Sequence, residues 1–277
     1  MHKADRLSWT IARYARQIPG GTLFAASACA SAGVRLAQEF FGSTLYQCGR
    51  GGAYDLKGIL SMHARHWLFN RRPRAHLDLP GVFDTLAEPH ALLATPAQVD
   101  GAANANLSVV GDHARPKVAF GGTRGLPDAR AVHFVLPAHS PRQLVSQVDF
   151  ISTCAATRAE PPMLFTELCV MRWVAAAGRW KLEALAPETD IEAIRARTGF
   201  DFDVAASPEP LQDPPPEAMA LLDAIDPMGL REMDFISGRK ELLDAIERIY
   251  AAEAGLAGAH LVPANQRAAL NRAPAHG

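Results

Sequence analysis

The sequence has almost no net charge and too few cysteines for a disulfide framework, and each shortage removes a class of function. Lysine and arginine number 28 against 29 acidic residues, a formal charge of −1. That balance leaves no electrostatic footprint for a nucleic-acid partner. The one basic cluster, Arg71-Arg72-Pro73-Arg74, reads as a solvated loop or a subunit contact. Cys29, Cys48, Cys154 and Cys169 show no C-x-x-C spacing, so neither a zinc knuckle nor a redox pair is expected, and a reduced cytoplasmic compartment is the simplest inference. His63 and His66 have metal-like spacing but no third ligand nearby, so no metal is expected. No apolar run is long enough to span a membrane. Residues 1–6 lead into an amphipathic stretch with Trp9 and Tyr14 rather than an apolar signal region.

What is present suits a folded globular protein. Apolar residues make up 48% of 277 and charged residues 21%, enough for one large α/β domain or two small ones. Leu7, Ile11, Tyr14, Ala15 and Ile18 recur at helical spacing until Pro19-Gly20-Gly21 stops the run. A strand over Thr22–Ala26, a buried helix ending at Gly42 and a strand over Thr44–Gln47 then make a βαβ unit, which implies a parallel sheet. Ligands bind outside the carboxyl ends of such strands, where Gln47 to Gly52 lie.

The second half reads as strand-rich. Strands are expected over His90–Thr95, Asn106–Val110, Val118–Phe120, Val132–Leu136, Gln147–Ile151 and Met163–Thr166. Leu168–Val174 and Arg179–Leu185 form a hairpin around Ala177-Gly178. Thr189-Asp190-Ile191-Glu192 matches a capping box, with Gly199 as the stop of its short helix. Pro208–Pro216 reads as a surface connection, followed by helices over Glu217–Ile225 and Arg239–Ala254. The expected division is a main domain over 1–235 and a C-terminal helix with a poorly ordered tail over 236–277.

A frame of motifs carries a family resemblance. Gly20-Gly21-Thr22-Leu23-Phe24-Ala25 precedes the helix, and Thr44-Leu45-Tyr46-Gln47-Cys48-Gly49 follows it. Then come Ala97-Gln98-Val99-Asp100 through Asn106, with Ala103 in a place the family gives to glycine, and Phe120-Gly121-Gly122-Thr123-Arg124-Gly125. Val148-Asp149-Phe150-Ile151-Ser152, Thr198-Gly199-Phe200-Asp201-Phe202 and Ala224-Ile225-Asp226-Pro227 complete the order. From about Gly20 to Pro227 the chain resembles the β subunit of glutaconate-type class I CoA transferases. The resemblance implies an open, mainly parallel α/β sheet flanked by helices.

In that family a glutamate at the end of the second strand attacks the acyl-CoA thioester. Here the position holds Gln47, and a neutral amide offers no such nucleophile. Val82-Phe83-Asp84-Thr85-Leu86-Ala87, Cys29 to Ala37, and the alanines Ala25, Ala26 and Ala28 where transferases carry glycines are more similar to the steroid ring-opening hydrolase branch. That branch lacks the glutamate and cleaves a carbon–carbon bond in a CoA-linked cyclic diketone.

The resemblance implies an acyl-CoA substrate, an α-type partner subunit in an αβ or α2β2 heteromer, and no cofactor beyond the coenzyme A of the substrate. Gln47 is then a hydrogen-bond donor to a thioester or enolate oxygen, although a polar residue satisfying a strand end reads the same way in isolation. Cys48 reads as a small apolar residue before it reads as a nucleophile. Gly49 and Arg50 allow close backbone approach and pairing with a phosphate or carboxylate, or form an ordinary connection. Gly121, Gly122, Arg124 and Asn106 complete the substrate and CoA-binding set. Hydrolytic ring opening is preferred. CoA transfer and a non-catalytic structural subunit remain the alternatives.

Overall fold

The computed structural model describes residues 2–48, 53–55, 57–62, 73–78, 80–81, 84–85, 90–120 and 129–261. A sheet of eight strands runs through its centre. The strands are β1 (Gly21–Ala25), β2 (Leu45–Gln47), β3 (Ala91–Ala94), β4 (Ala131–Leu136), β5 (Met163–Thr166), β6 (Cys169–Val174), β7 (Arg179–Leu185) and β8 (Asp203–Pro210). Their order is β8-β7-β6-β5-β4-β3-β1-β2. The strands β2, β1, β3, β4 and β5 are mutually parallel, β6 and β7 are antiparallel additions, and β8 pairs parallel with β7. The parallel half is buried on both faces, so β3 and β4 are apolar at nearly every position, as such strands must be.

Helices cover one face. Helix α1 (Lys3–Ala15) buries Leu7 and Ile11 against the sheet and against α2 (Ala28–Phe41). The two helices cross so closely that a Cβ at Gly33 would lie 2.7 Å from the Ser8 carbonyl oxygen. Leu7, Ile11, Leu23, Leu36 and Leu45 are at most 1% exposed, each contributing about 2 kcal/mol of transfer free energy. Any larger residue at Gly33 would separate α1 from α2 and forfeit part of it. Helix α2 starts at Ser27, whose side chain accepts from the Ala30 amide. It stops at Gly42, whose φ of 68° lets its N–H reach back to Ala37 and Gln38.

The other face is covered by a small three-stranded sheet (Gln98–Val99, Asn104–Asn106, Thr153–Cys154) and by helix α3 (Ile191–Ala196). Helix α4 (Pro216–Ile225), a 3-10 turn over Leu230–Phe235 and helix α5 (Arg239–Leu261) close the described chain. Helix α5 outruns its expected end at Ala254. Among the described residues no helix is long and apolar enough to cross a membrane.

Several sequence expectations are corrected. Residues 147–151 are not a strand, because their polar groups pair with side chains. Val148 N reaches Asp100 Oδ2, Asp149 N reaches Gln98 Oε1, and the Asp149 carboxylate takes Gln98 Nε2 and Gly111 N. Asn106–Val110 is two short strands, Asn104–Asn106 and Val109–Val110, broken where the Asn106 side chain accepts from Ser108 N and Val109 N. Pro208 and Pro210 lie in β8, an edge strand where a missing N–H is tolerated, and Pro216 opens α4 at its first turn. The cap of α3 is Asp190 rather than Thr189, since Asp190 Oδ1 accepts from Ala193 N at 2.8 Å. Gly199 does not stop α3 through a left-handed turn. It is required because a Cβ there would lie 2.6 Å from the Leu144 carbonyl oxygen.

Candidate active site

The chain leaves β1 through α2 to reach β2 on one side, then returns to β3 on the other side of β1. The carboxyl ends of β1 and β3 therefore feed connections that diverge, the place where parallel sheets take ligands. Ser27 follows β1, Thr95 follows β3, and Gln47 and Cys48 end β2. Thr95 Oγ1 is a buried atom with no hydrogen-bond partner among the described residues.

Period-two alternation places the side chains of Leu45 and Gln47 on the α2 side of the sheet. Leu45 enters the core there, and the half-buried Gln47 donates from Nε2 to Ser31 Oγ at 2.8 Å. Its backbone carbonyl accepts from Asp55 N, also at 2.8 Å. Tyr46 faces the other way, with the Arg74 guanidinium 4.2 Å above its ring. Arg74 Nε lies 3.3 Å from Asp55 Oδ2, so this member of the basic cluster is tied into the fold. Asp55 is buried at φ 51° and also holds Gln38 and Lys57.

Cys48 is buried, its N–H donates to Leu23 O, and burial pushes its thiol up to about 11. At neutral pH it is a thiol, a weak nucleophile packed beside Tyr54.

The first turn of α2 would ordinarily offer backbone N–H groups to an oxyanion. Here they are consumed. Asp234 accepts from Cys29 N at 2.8 Å and from Ala28 N at 3.4 Å, Ser27 Oγ takes Ala30 N, and Ser27 O takes Ser31 N. Burial raises the Asp234 carboxyl above its ordinary range. A ligand oxygen at this edge gets no donor from that turn, and among the described residues the Gln47 carboxamide, which has two N–H bonds, and the Thr95 hydroxyl are the polar groups on offer.

Asn106 is fully buried and holds its own turn. Its Nδ2 donates to Gln98 Oε1 at 2.8 Å and to the Val109 carbonyl. It thereby sets the course of the chain towards Phe120 and the glycine-rich turn. Gly49, Arg50, Gly121, Gly122 and Arg124, like His63 and His66, lie outside the described residues.

Sequence reasoning passed over a second polar cluster at the same edge, beyond β4 and β5. His139 is 3% exposed. Its Nδ1 meets Thr166 Oγ1 at 3.1 Å and Cys169 Sγ at 3.5 Å, and its Nε2 meets Thr198 Oγ1 at 3.0 Å. Its backbone N–H donates to Glu167 Oε2 at 2.7 Å. Burial lowers the imidazole to about 4 and lifts the Cys169 thiol to about 12. Only Thr198 falls in a motif read from the sequence, and His139, Thr166 and Cys169 join it through strand pairing and α3.

The architecture has counterparts among known proteins, although no protein-family model matches the chain. Over 147 residues it is 24% identical to a glutaconate CoA-transferase subunit from Acidaminococcus fermentans, covering 47% of this chain and 55% of that protein. The match thus spans little more than half the length of that relative. Among solved structures it is similar to the decarboxylase AibA/AibB, with TM-score 0.70 and 24% identity over 83% of this chain and 97% of that one. It is also similar to IpdAB of Rhodococcus jostii RHA1, with TM-score 0.69 and 18% identity over 84% and 98%. The crystal structure of glutaconate CoA-transferase itself gives TM-score 0.67 and 17% identity over 82% and 95%. The fold is that of the class I CoA transferases.

On that fold the motifs that fall in described residues acquire definite places. Gln47 closes β2, and Asn106 anchors the turn before the glycine-rich segment. Thr198-Gly199-Phe200 locks α3 against residues 144–146 and against Gly101, whose Cβ would lie 2.9 Å from that of Phe200. Ala103 adopts a left-handed φ of 57°.

Proposed function

We propose that this chain is the β-type subunit of a two-component acyl-CoA enzyme whose chemistry is hydrolytic, most simply the opening of a CoA-linked cyclic diketone. The observation that carries the reading is a carboxamide where the transferase reaction needs a carboxylate, held by Ser31 beside a helix terminus whose amides are already spent. In this scheme a carboxylate of the α-type partner takes a proton from water, and the hydroxide adds to a ring carbonyl. The adjacent carbon–carbon bond breaks towards the neighbouring carbonyl, and the resulting enolate carbon takes up a proton. Gln47 donates an N–H to the oxygen that carries the developing charge.

The relatives' names support a second component, since AibA/AibB and IpdAB, at TM-scores of 0.70 and 0.69, each carry a two-part name. Transfer of CoA to a free acid is the second reading, favoured by the sequence match to a glutaconate CoA-transferase subunit. It meets the difficulty that neither Gln47 nor the protonated Cys48 supplies its nucleophile.

The test is co-expression with an α-type subunit of this fold, sought first in the neighbouring reading frame, followed by assays of thioester hydrolysis, ring cleavage and CoA exchange. Hydrolysis or ring cleavage without exchange is the expected result. CoA exchange with a trapped adduct on the peptide Thr44–Gly52 would return the chain to the transferases.

A further inference from the structure

We infer that Ser31 is a positioning residue for Gln47, holding its carboxamide against α2. The inference rests on Gln47 being the oxygen-binding group of the proposed reaction.

A glutamine's last torsion is broad, and its oxygen and nitrogen exchange places by a half-turn. Left alone, such a side chain samples many placements. Here Nε2 is 2.8 Å from Ser31 Oγ, a contact that holds the carboxamide against α2 and, among the described residues, leaves its second N–H over. The contact positions the amide only if Ser31 itself is held, and it is. Ser31 lies one turn beyond the N-cap Ser27, and its N–H donates to Ser27 O at 3.0 Å. The turn before it is clamped by Asp234 on the amides of Ala28 and Cys29.

Asp234 is fixed in its turn by the 3-10 segment it belongs to. Asp226 caps that segment through Leu230 N at 2.8 Å and Arg231 N at 2.9 Å. The buried Arg231 guanidinium pairs with Asp5 at 2.8 Å and with Asp226 at 3.2 Å. An unbroken series of polar contacts therefore runs from the 3-10 turn through the α2 terminus to the Gln47 amide. Removing the serine oxygen would free the carboxamide to rotate while leaving the helix, its cap and the core in place.

The experiment uses the co-expressed two-component complex and two readouts. In 15N-edited spectra the Gln47 side-chain amide pair is identified by its loss in Gln47→Ala. In Ser31→Ala that pair should shift and exchange faster with solvent, and Ser31→Thr should restore it. With acetoacetyl-CoA as the hydrolysis probe, Ser31→Ala should lower kcat about tenfold with KM little changed, the scale of one neutral hydrogen bond. Combining it with Gln47→Ala should cost nothing further.

An unmoved Gln47 amide in folded Ser31→Ala overturns the inference, as does a kcat loss that adds fully to that of Gln47→Ala. A loss in Gln47→Ala without one in Ser31→Ala defeats the positioning role alone. Unchanged hydrolysis in Gln47→Ala defeats the proposed reaction, and the positioning role falls with it.

Discussion

The two ends of the parallel sheet carry similar residues and put them to opposite uses. At the end of β2 a glutamine and a serine meet, and beyond β4 and β5 a histidine, two threonines and a cysteine do. Both groups stand at strand carboxyl ends, where the topology offers a ligand site. In the His139 cluster both ring nitrogens are matched by hydroxyls and the imidazole is 3% exposed, so it stitches β4 to β5 and α3. In the Gln47 cluster the side chain is half-buried, and the one bond it makes among the described residues leaves donor capacity over. Chemistry-bearing residues at a favourable edge are therefore no evidence of a site. Unspent hydrogen-bonding capacity at the edge is what separates the two.

The largest expected effect falls on Gln47. Gln47→Ala should lower kcat for hydrolysis about 10²-fold with the melting transition unchanged, by analogy with loss of one oxyanion donor. Gln47→Glu should do no better, because an ionised carboxylate only accepts. If Gln47→Ala hydrolyses at the parental rate, the contrast between the clusters collapses. If Gln47→Glu gains CoA exchange, the fold retains a transferase site.

The closed end should show itself in acid. His139 is lowered to about 4 by burial, and His133 to about 3 in a pocket where Nδ1 accepts from Met163 N and Nε2 has no partner among the described residues. The unfolded chain takes up these protons near pH 6.5 while the folded one refuses them. Their neutral-state stabilisation is therefore fully present above pH 6.5 and is lost as pH falls from there towards 4. Each should cost about 1.4 kcal/mol per pH unit in that window. Urea unfolding of the chain at pH 7, 6 and 5 measures the slope, and His139→Gln should shallow it. A stability flat between pH 6.5 and 5 would mean that the cluster is open to water.

A smaller difference separates the thiols. With Cys48 raised to about 11, roughly one molecule in a thousand is thiolate at pH 8. Iodoacetamide followed by peptide mapping should label the half-exposed Cys154 first, with Cys48 and Cys169 reacting only on unfolding. Rapid labelling of Cys48 in the folded protein would reinstate it as a nucleophile beside Gln47.

The smallest effect is expected at Ala103. Its left-handed backbone costs about 1 kcal/mol that glycine would not incur, and its fully buried methyl contributes about 0.8 kcal/mol. Ala103→Gly should therefore leave the unfolding free energy within about 0.5 kcal/mol of the parent. A larger gain would show that the strain goes uncompensated.

Local sequence carried the βαβ start, the hairpin of β6 and β7 and the helices after Pro216, because each rests on periodicity and on punctuation by proline or glycine within a few residues. The position of Gln47 followed from the same unit, since a strand's carboxyl end is a local property once the strand is placed. Where residues pair across distance the local signal misled. Val148 to Ile151 has strand-like composition, yet Asp100, Gln98 and Gly111 claim its polar groups. Gly199 looked like a helix stop, and only the carbonyl of Leu144, far away in sequence, shows why a side chain is excluded there.

The sequence by itself determined that this chain builds a parallel α/β sheet with an amide at the end of its second strand, because alternation, caps and breakers act over one turn or one strand. Only the tertiary structure decided that Ser31 holds that amide, that Asp234 consumes the helix terminus beside it and that His139 is sealed. Each of those depends on which distant groups spend a hydrogen bond and which are left with one to give.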